Sequence, residues 1–150
     1  MASTAPDSLI IACPADAALN RVPRAKLGAD PRCGTCGQPL FQRKPVALTA
    51  ATFDRHVARG DLPVVVDFWA GWCGPCRAMA PAFAAAAATL EPLVRLAKLD
   101  TEAESAIASR YAIRGIPCLI LFRKGREVAR QSGAMPAEAI VSWVRQALAG

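Results

Sequence analysis

Apolar residues are concentrated in three short runs of the chain, each of the length of a β-strand. The runs are nearly continuous, so each strand should be covered on both faces by other parts of the protein. A fourth, more polar run follows a turn at Lys124-Gly125 and should pair with the third run as an edge strand. The four predicted strands are 62–69, 94–99, 118–122 and 127–131.

Four other stretches have helical patterns, at 52–59, 74–90, 102–111 and 137–149. In the first, Thr52 should cap the helix and His56 should lie on its solvated side. The second is rich in alanine and opens with Gly74-Pro75, while Pro81 removes a backbone donor inside it and should bend it. Strands alternate with helices and then pair through a hairpin, which predicts an α/β sheet, parallel at first and antiparallel at its end.

The beginning of the chain has a different composition. Residues 9–45 contain three of the six cysteines, five prolines and few large apolar residues. Such a segment cannot bury enough apolar surface to fold without an external staple. Because the composition changes near Lys44-Pro45, we predict a small module at 1–45 and a larger domain at 46–150.

The charge and hydropathy of the chain argue against several functions. The net charge is +6 but contains no dense basic run, so nucleic-acid binding has little support. No segment approaches the roughly 20 apolar residues that span a membrane. The run Leu9-Ile10-Ile11-Ala12-Cys13 resembles a lipoprotein cleavage box, but it is short and follows no Lys or Arg. We expect a cytoplasmic protein whose cysteines serve as metal ligands or catalysts.

Two cysteines, Cys73 and Cys76, flank Gly74-Pro75 where a buried strand gives way to a helix. Unpaired N–H groups and the positive end of the helix dipole should stabilise a Cys73 thiolate there. Cys76 lies one turn on and can displace Cys73 from a mixed disulfide. We therefore predict that Cys73 is the exposed, attacking thiol and Cys76 the more buried, resolving one. The alternative is half of a zinc site, since C-x-x-C is also a metal knuckle.

A single carboxylate, Asp67, interrupts the apolar strand before this pair. Because an ionised carboxylate is costly in such a place, burial should raise its pKa. Asp67 could then relay a proton to the leaving thiol of Cys76. Lys98 on the next strand could face Asp67, and the alternative role is a structural Asp67–Lys98 pair.

These residues belong to a set of motifs that together resemble the thioredoxin family. The motifs are V-V-V-D-F-W-A-G-W-C-G-P-C-R at 64–77, Pro81, A-K-L-D at 97–100, Y-A-I-R-G-I-P at 111–117, F-R-K-G at 122–125 and Gly133. The resemblance implies the thioredoxin fold, a central mixed sheet flanked by helices. It also implies a general protein-disulfide reductase with disulfide-containing client proteins, no organic cofactor of its own, and reduction by thioredoxin reductase, an NADPH-dependent flavoprotein.

The same resemblance implies a groove that binds client peptides beside the cysteines, with a cis peptide bond before Pro117. The groove residues would be Trp72, Gly74, Pro75, Ile116, Pro117 and Gly133. The chain departs from the family pattern at Gly71, where Pro or a charged residue is usual, and at Cys118, where Thr is usual. Cys118 could pack in the strand, form a mixed disulfide or alter the redox potential.

The cysteines of the first module suggest a metal site. Cys33-Gly34-Thr35-Cys36 is a knuckle, and Cys13-Pro14-Ala15-Asp16 repeats its spacing with aspartate in the last position. The segment resembles the N-terminal zinc module of the thioredoxin-2 subfamily, which implies a zinc-ribbon-like fold and a structural zinc on Cys13, Asp16, Cys33 and Cys36. That subfamily normally offers four cysteines, but zinc also accepts carboxylate oxygen. The alternatives are a Cys33–Cys36 disulfide or a module without metal.

The function that we expect is therefore that of a protein-disulfide reductase. The alternative is a binding factor whose zinc module recruits a client, with a secondary redox role. A disulfide-forming oxidant is disfavoured by the Gly-Pro between the cysteines.

Overall fold

A five-stranded mixed sheet forms the centre of a computed structural model that describes residues 7–150. Its strands are β3 Val46–Ala47, β4 Val64–Trp69, β5 Arg95–Asp100, β6 Cys118–Arg123 and β7 Arg126–Ser132. Their order in the sheet is β3-β5-β4-β6-β7, in which β3, β5 and β4 are parallel, and β6 and β7 are antiparallel to their neighbours. The predicted mixed α/β sheet is confirmed.

In the described part of the chain, three α-helices cover the sheet, namely α1 Gly74–Leu90, α2 Ser105–Arg110 and α3 Ala137–Ala149. Alternate residues of β4 point to opposite faces of the sheet, and both faces are buried, which explains the continuous apolar run in its sequence. On one face, Phe53, Tyr111 and Phe122 form an aromatic cluster, with ring centroids 5.0 Å apart for Tyr111 and Phe122. On the other, α1 and α3 pack together through an apolar core that includes Phe83 and Ile140.

The two shorter predicted helices differ from expectation. Helix α2 begins at Ser105, because residues 101–104 form a turn in which the Asp100 carboxylate accepts hydrogen bonds from the backbone N–H groups of Glu102 and Ala103. The segment at 52–59 ends in a π-helical turn at Arg55–Arg59.

The predicted cap of that segment and the predicted exposure of its histidine are both wrong. The Thr52 hydroxyl accepts from the backbone N–H of Thr49, 3.0 Å away, instead of capping a helix. His56 is buried, 4% exposed, because the first module covers this side of the segment.

The first module contains a β-hairpin that the sequence pattern did not predict. Strands β1 Ser8–Ala12 and β2 Leu19–Pro23 pair in antiparallel fashion, and a short 3₁₀ turn follows at Arg24–Lys26. Its small apolar core includes Leu62 of the larger domain together with Leu9, Ile11, Cys13, Val22, Leu27, Cys33 and Leu40. The part of the module before Asp7 lies outside the described residues, and its boundary at residue 45 stays a prediction.

Within residues 7–150, no helix combines the length and the apolar character needed to cross a lipid bilayer.

The aromatic cluster should dominate the stability of its face of the sheet. We expect Phe122→Ala to lower the free energy of unfolding by about 3–5 kcal/mol, since a fully buried ring is lost and a cavity remains. Leu93, which is 67% exposed, is the matched control, and Leu93→Ala should change stability by no more than about 0.5 kcal/mol. Urea unfolding followed by circular dichroism measures both, and equal effects would contradict the packing described.

Candidate active site and metal cluster

Cys73 is the N-cap residue of α1, and its position follows from the sequence around it. The strand β4 ends at Trp69, a tight loop follows, and Pro75 enters the first helical turn, where its missing N–H costs no hydrogen bond. The Cys73 sulfur accepts a hydrogen bond from the backbone N–H of Cys76 at 3.2 Å. A negative sulfur at this position would be stabilised by the same N–H groups and by the helix dipole.

A disulfide joins Cys73 and Cys76, whose Cα atoms are 5.3 Å apart. The two residues are 4% and 2% exposed, so exposure does not separate an attacking from a resolving sulfur, contrary to expectation. Their surroundings do separate them. Cys73 precedes the helix beside Trp72, which is 68% exposed, whereas Cys76 lies inside the first turn.

One of the predicted groove residues, Ile116, contacts the Cys73 sulfur. This sulfur lies 3.7 Å from the carbonyl oxygen of Ile116, and the Ile116–Pro117 peptide bond is cis. Gly133, with φ +96°, donates its N–H to the carbonyl of Pro117 at 2.9 Å. Trp72 and Ile116 also line a cavity of about 140 Å³. The structure therefore places an apolar recess and the exposed indole of Trp72 next to the disulfide.

One contact around the disulfide was not predicted. The guanidinium of Arg77, in the first turn of α1, donates to the carbonyl of Gly71 at 2.7 Å and so ties the loop before Cys73 to the helix. Arg77 closes the motif at 64–77, but nothing in the sequence indicates this contact with Gly71.

Asp67 is fully buried in β4, and among residues 7–150 neither of its carboxylate oxygens has a hydrogen-bond partner. Burial raises its pKa to about 7, and the positive charge of Lys98 opposes that rise only in part. Lys98 is the register partner of Asp67 on β5, but its Nζ lies over the Trp69 ring, 4.5 Å from the centroid. Lys98 therefore acts on Asp67 through its charge and not through a hydrogen bond.

Cys118 begins β6 and is buried opposite Phe68 in the aromatic-side core. Burial raises the pKa of its thiol. A neutral, packed thiol is a poor nucleophile. Of the three roles considered for Cys118, packing in the strand agrees best with this environment.

The four candidate metal ligands of the first module come together. Their ligating atoms, from Cys13, Asp16, Cys33 and Cys36, all lie within 4.8 Å of one another. The Cys13 and Cys36 sulfurs are 3.6 Å apart, and the Cys33 sulfur is 3.6 Å from an Asp16 carboxylate oxygen. A tetrahedral zinc with Zn–S bonds of about 2.3 Å requires edges of roughly 3.6–3.8 Å. The donor set and its spacing therefore fit such an ion.

Further polar groups orient these sulfurs. The backbone N–H groups of Ala15 and Thr35 point at the sulfurs of Cys13 and Cys33, at 3.3 and 3.4 Å. Asn20 of β2 donates its amide to the Cys33 sulfur at 3.5 Å and accepts from the backbone N–H of Gly34 at 2.9 Å. Donors of this kind hold metal ligands in place. The contact of Asn20 with the Cys33 sulfur was not predicted, because the hairpin that positions Asn20 was not predicted.

His56 is not among the four clustered groups, although it lies next to them. Burial and the positive charge of Arg95 lower the pKa of its imidazole to about 4, and a polar interaction with the backbone of Cys13 opposes this shift only in part.

Two family models match the chain. The model described as "Thioredoxin" matches residues 44–146, and the zinc-ribbon model described as "Thioredoxin 2, N-terminal" matches residues 12–38. Thioredoxin C-3 of Corynebacterium nephridii is 44% identical over 140 residues, which cover 93% of this chain and 96% of that protein. Thioredoxin of Rhodospirillum rubrum is 42% identical over 94 residues, 63% of this chain and 90% of its own length.

Solved structures agree with these matches. A single-substitution mutant of thioredoxin from Halobacterium salinarum has a TM-score of 0.63 at 30% identity, covering 69% of this chain and 90% of that one. Chloroplastic thioredoxin z has a TM-score of 0.65 at 27% identity, covering 71% of this chain and 96% of that one.

The unpartnered Asp67 should make stability depend on pH. Its pKa of about 7 in the folded protein lies above the ordinary value of 3.8, so the folded state holds the proton more tightly. Stability should therefore fall as pH rises from about 4 to 7, by roughly 4 kcal/mol from this group, and then level off. Asp67→Asn should remove that fall and be the more stable protein at pH 8. Urea unfolding across this pH range measures the effect.

The exposed Asp54 provides the matched control, since Asp54→Asn should keep the wild-type pH profile. A wild-type profile for Asp67→Asn as well would contradict the burial of an ionisable, unpaired carboxylate.

Proposed function

The chain belongs to the thioredoxin family and is a thiol-disulfide oxidoreductase, and we propose that it reduces protein disulfides with Cys73 as the attacking and Cys76 as the resolving sulfur. The observation that carries this proposal is the place of Cys73 as N-cap of α1, with the N–H of Cys76 directed at its sulfur. A thiolate stabilised at a helix N-terminus is the form that attacks a disulfide.

The reaction moves two electrons to the client. The Cys73 thiolate attacks one client sulfur, forms a mixed disulfide and releases the other client sulfur as a thiolate, which takes up a proton. Cys76 then loses its proton, attacks the Cys73 sulfur and releases the second client thiolate. The protein is left with the Cys73–Cys76 disulfide, the state seen in the structure.

Asp67 is the proposed acceptor of the Cys76 proton. Its pKa of about 7 suits it to take a proton near neutral pH and to return it when the protein's own disulfide is reduced and Cys76 leaves. Lys98 tunes this group, since its charge keeps the carboxylate pKa from rising further.

The proposed client site is the groove at the disulfide. The exposed Trp72 and the recess beside Ile116 offer apolar contact to a client segment. Gly74, Pro75, Pro117 and Gly133 border the sulfurs without large side chains that would obstruct a client backbone.

Family membership supports the remaining proposals. We expect electrons to come from thioredoxin reductase, an NADPH-dependent flavoprotein, and the clients to be disulfide-containing proteins of the cytoplasm. We also propose that residues 1–45 and 46–150 are the two domains, with zinc held by Cys13, Asp16, Cys33 and Cys36. Zinc bound there would cross-link the module structurally. The −2 charge of such a site could be offset by nearby cations such as Arg21 and Arg32.

Single substitutions separate the roles of the two sulfurs. Cys73→Ser should abolish reduction of a model disulfide protein such as insulin, because no thiolate remains at the helix N-terminus. Cys76→Ser should instead accumulate a covalent complex with the client, visible by non-reducing electrophoresis and mass spectrometry. Cys118→Ser is the matched control and should keep turnover. Full turnover by both active-site variants would refute the proposal.

The metal site predicts a definite composition. The reduced, purified protein should contain about one zinc per chain, and at most three thiols, those of Cys73, Cys76 and Cys118, should react with a thiol reagent while the metal stays bound. Asp16→Ala should lower the zinc content measured after dialysis. Asp30→Ala, an exposed carboxylate of the same module, should not. No zinc and six free thiols in the wild type would overturn the metal assignment.

A further inference from the structure

The edge of β1 that faces away from β2 is bonded to the larger domain. The backbone N–H of Ile10 donates to the Asp61 carboxylate at 2.6 Å, and the carbonyl of Ile10 accepts from the N–H of Asp61 at 2.7 Å. The other oxygen of Asp61 pairs with Lys124. The larger domain therefore replaces the strand partner that β1 lacks on this side.

A buried ion pair forms a second contact between the larger domain and the first module, next to the metal cluster. Arg95, at the start of β5, is 2% exposed and pairs with Glu91 at 2.7 Å. The second terminal nitrogen of its guanidinium donates to the carbonyl of Ala12 at 3.0 Å. Ala12 directly precedes Cys13, so a charged group of the larger domain fixes the backbone next to the first ligand.

The same ion pair also holds the chain that leaves the cluster. The Arg95 guanidinium lies 5.3 Å from the centroid of the Phe41 ring, and the Glu91 carboxylate accepts from the backbone N–H of Arg43 at 2.6 Å. Phe41 and Arg43 follow the Cys33–Cys36 knuckle by only a few residues. One ion pair therefore contacts both the segment that enters the cluster and the segment that leaves it.

Two neighbouring side chains add to this arrangement. His56 lines one cavity together with Ala12 and Arg95, and Arg55 donates to the carbonyl of Ala17, just after Asp16, at 3.4 Å. The loop that carries Cys13 and Asp16 is thus held by side chains of the larger domain on both sides.

We propose that Arg95 and Glu91 are positioning residues for the metal cluster, so that high metal affinity is a property of the whole chain and not of the first module alone. The proposal rests on the zinc site proposed above. Contacts with the folded larger domain already restrict the ligand loops before metal binds. A smaller entropy cost of ordering these loops therefore opposes metal binding. By linkage, metal binding must stabilise the larger domain to the same extent that the domain strengthens metal binding.

The test compares metal affinity in full-length variants. Arg95→Met combined with Glu91→Gln removes both buried charges together, so neither is left unpaired, and the glutamine oxygen can still accept from Arg43. The control is Arg130→Met combined with Glu127→Gln, which removes an ion pair of the same chemistry on β7. Competition with a chromogenic zinc chelator measures the apparent affinity of each reduced protein, and thermal melting with and without zinc measures the linked stability.

We expect the Arg95/Glu91 variant to bind zinc at least about 10-fold more weakly than wild type, the size of effect known for groups that orient metal ligands. Its melting temperature should also rise less on zinc addition. The control should match wild type in both. If the double variant does not fold, Arg95→Lys, which keeps the charge but shortens the reach to Ala12, should show the same loss of affinity.

A folded variant with zinc affinity within about 2-fold of wild type would overturn the inference while leaving the zinc site intact. A wild-type protein that binds no zinc would overturn both.

Discussion

The reductase domain depends on one constraint, that a sulfur must sit where the backbone of α1 begins. That position supplies N–H groups without intrahelical partners, which stabilise an anion only within about one turn of the helix end. Pro75 and the end of β4 fix where the helix starts. The rest of the domain places this helix end beside the loop that contains the cis Ile116–Pro117 peptide bond. The pairing of β4 with β6 brings Ile116 to the Cys73 sulfur. A shift of one residue in the helix start would move the sulfur off the helix axis and away from the groove.

The elements that the sequence predicted well are those whose pattern is set by burial on both faces or by a strong helix signal. Strands β4 and β6 and helices α1 and α3 agree with expectation to within one or two residues, since their apolar residues contact the core directly. The Cys73–Cys76 pair was predictable for a similar reason, because Gly74-Pro75 between the two cysteines indicates the start of a helix. Asp67 stood out because a carboxylate in an apolar strand must be either paired or perturbed.

The errors share a different cause, which is contact between segments far apart in sequence. His56 lies on the polar side of a short helical pattern, yet the hairpin covers it, and its burial depends on residues at the beginning of the chain. Arg95 interrupts the apolar run at 94–99, but nothing local identifies Glu91 and Ala12 as its buried partners. The hairpin itself was not predicted because its strands have only five residues each and β2 is only partly apolar. Local patterns carry no information on which surfaces two modules will present to each other.

The docking of the hairpin also limits how this protein can be compared with its shorter relatives, several of which match only about 60% of the chain. Leu62, the Arg95–Glu91 pair and His56 are interior groups here because residues 7–45 lie over them. A truncated protein starting near residue 46 would expose the apolar side chain of Leu62 and the Arg95–Glu91 ion pair, which are all buried in the whole chain. Such a truncated protein would therefore differ from the shorter relatives, and making it stable would require polar substitutions on the surface that residues 7–45 cover here.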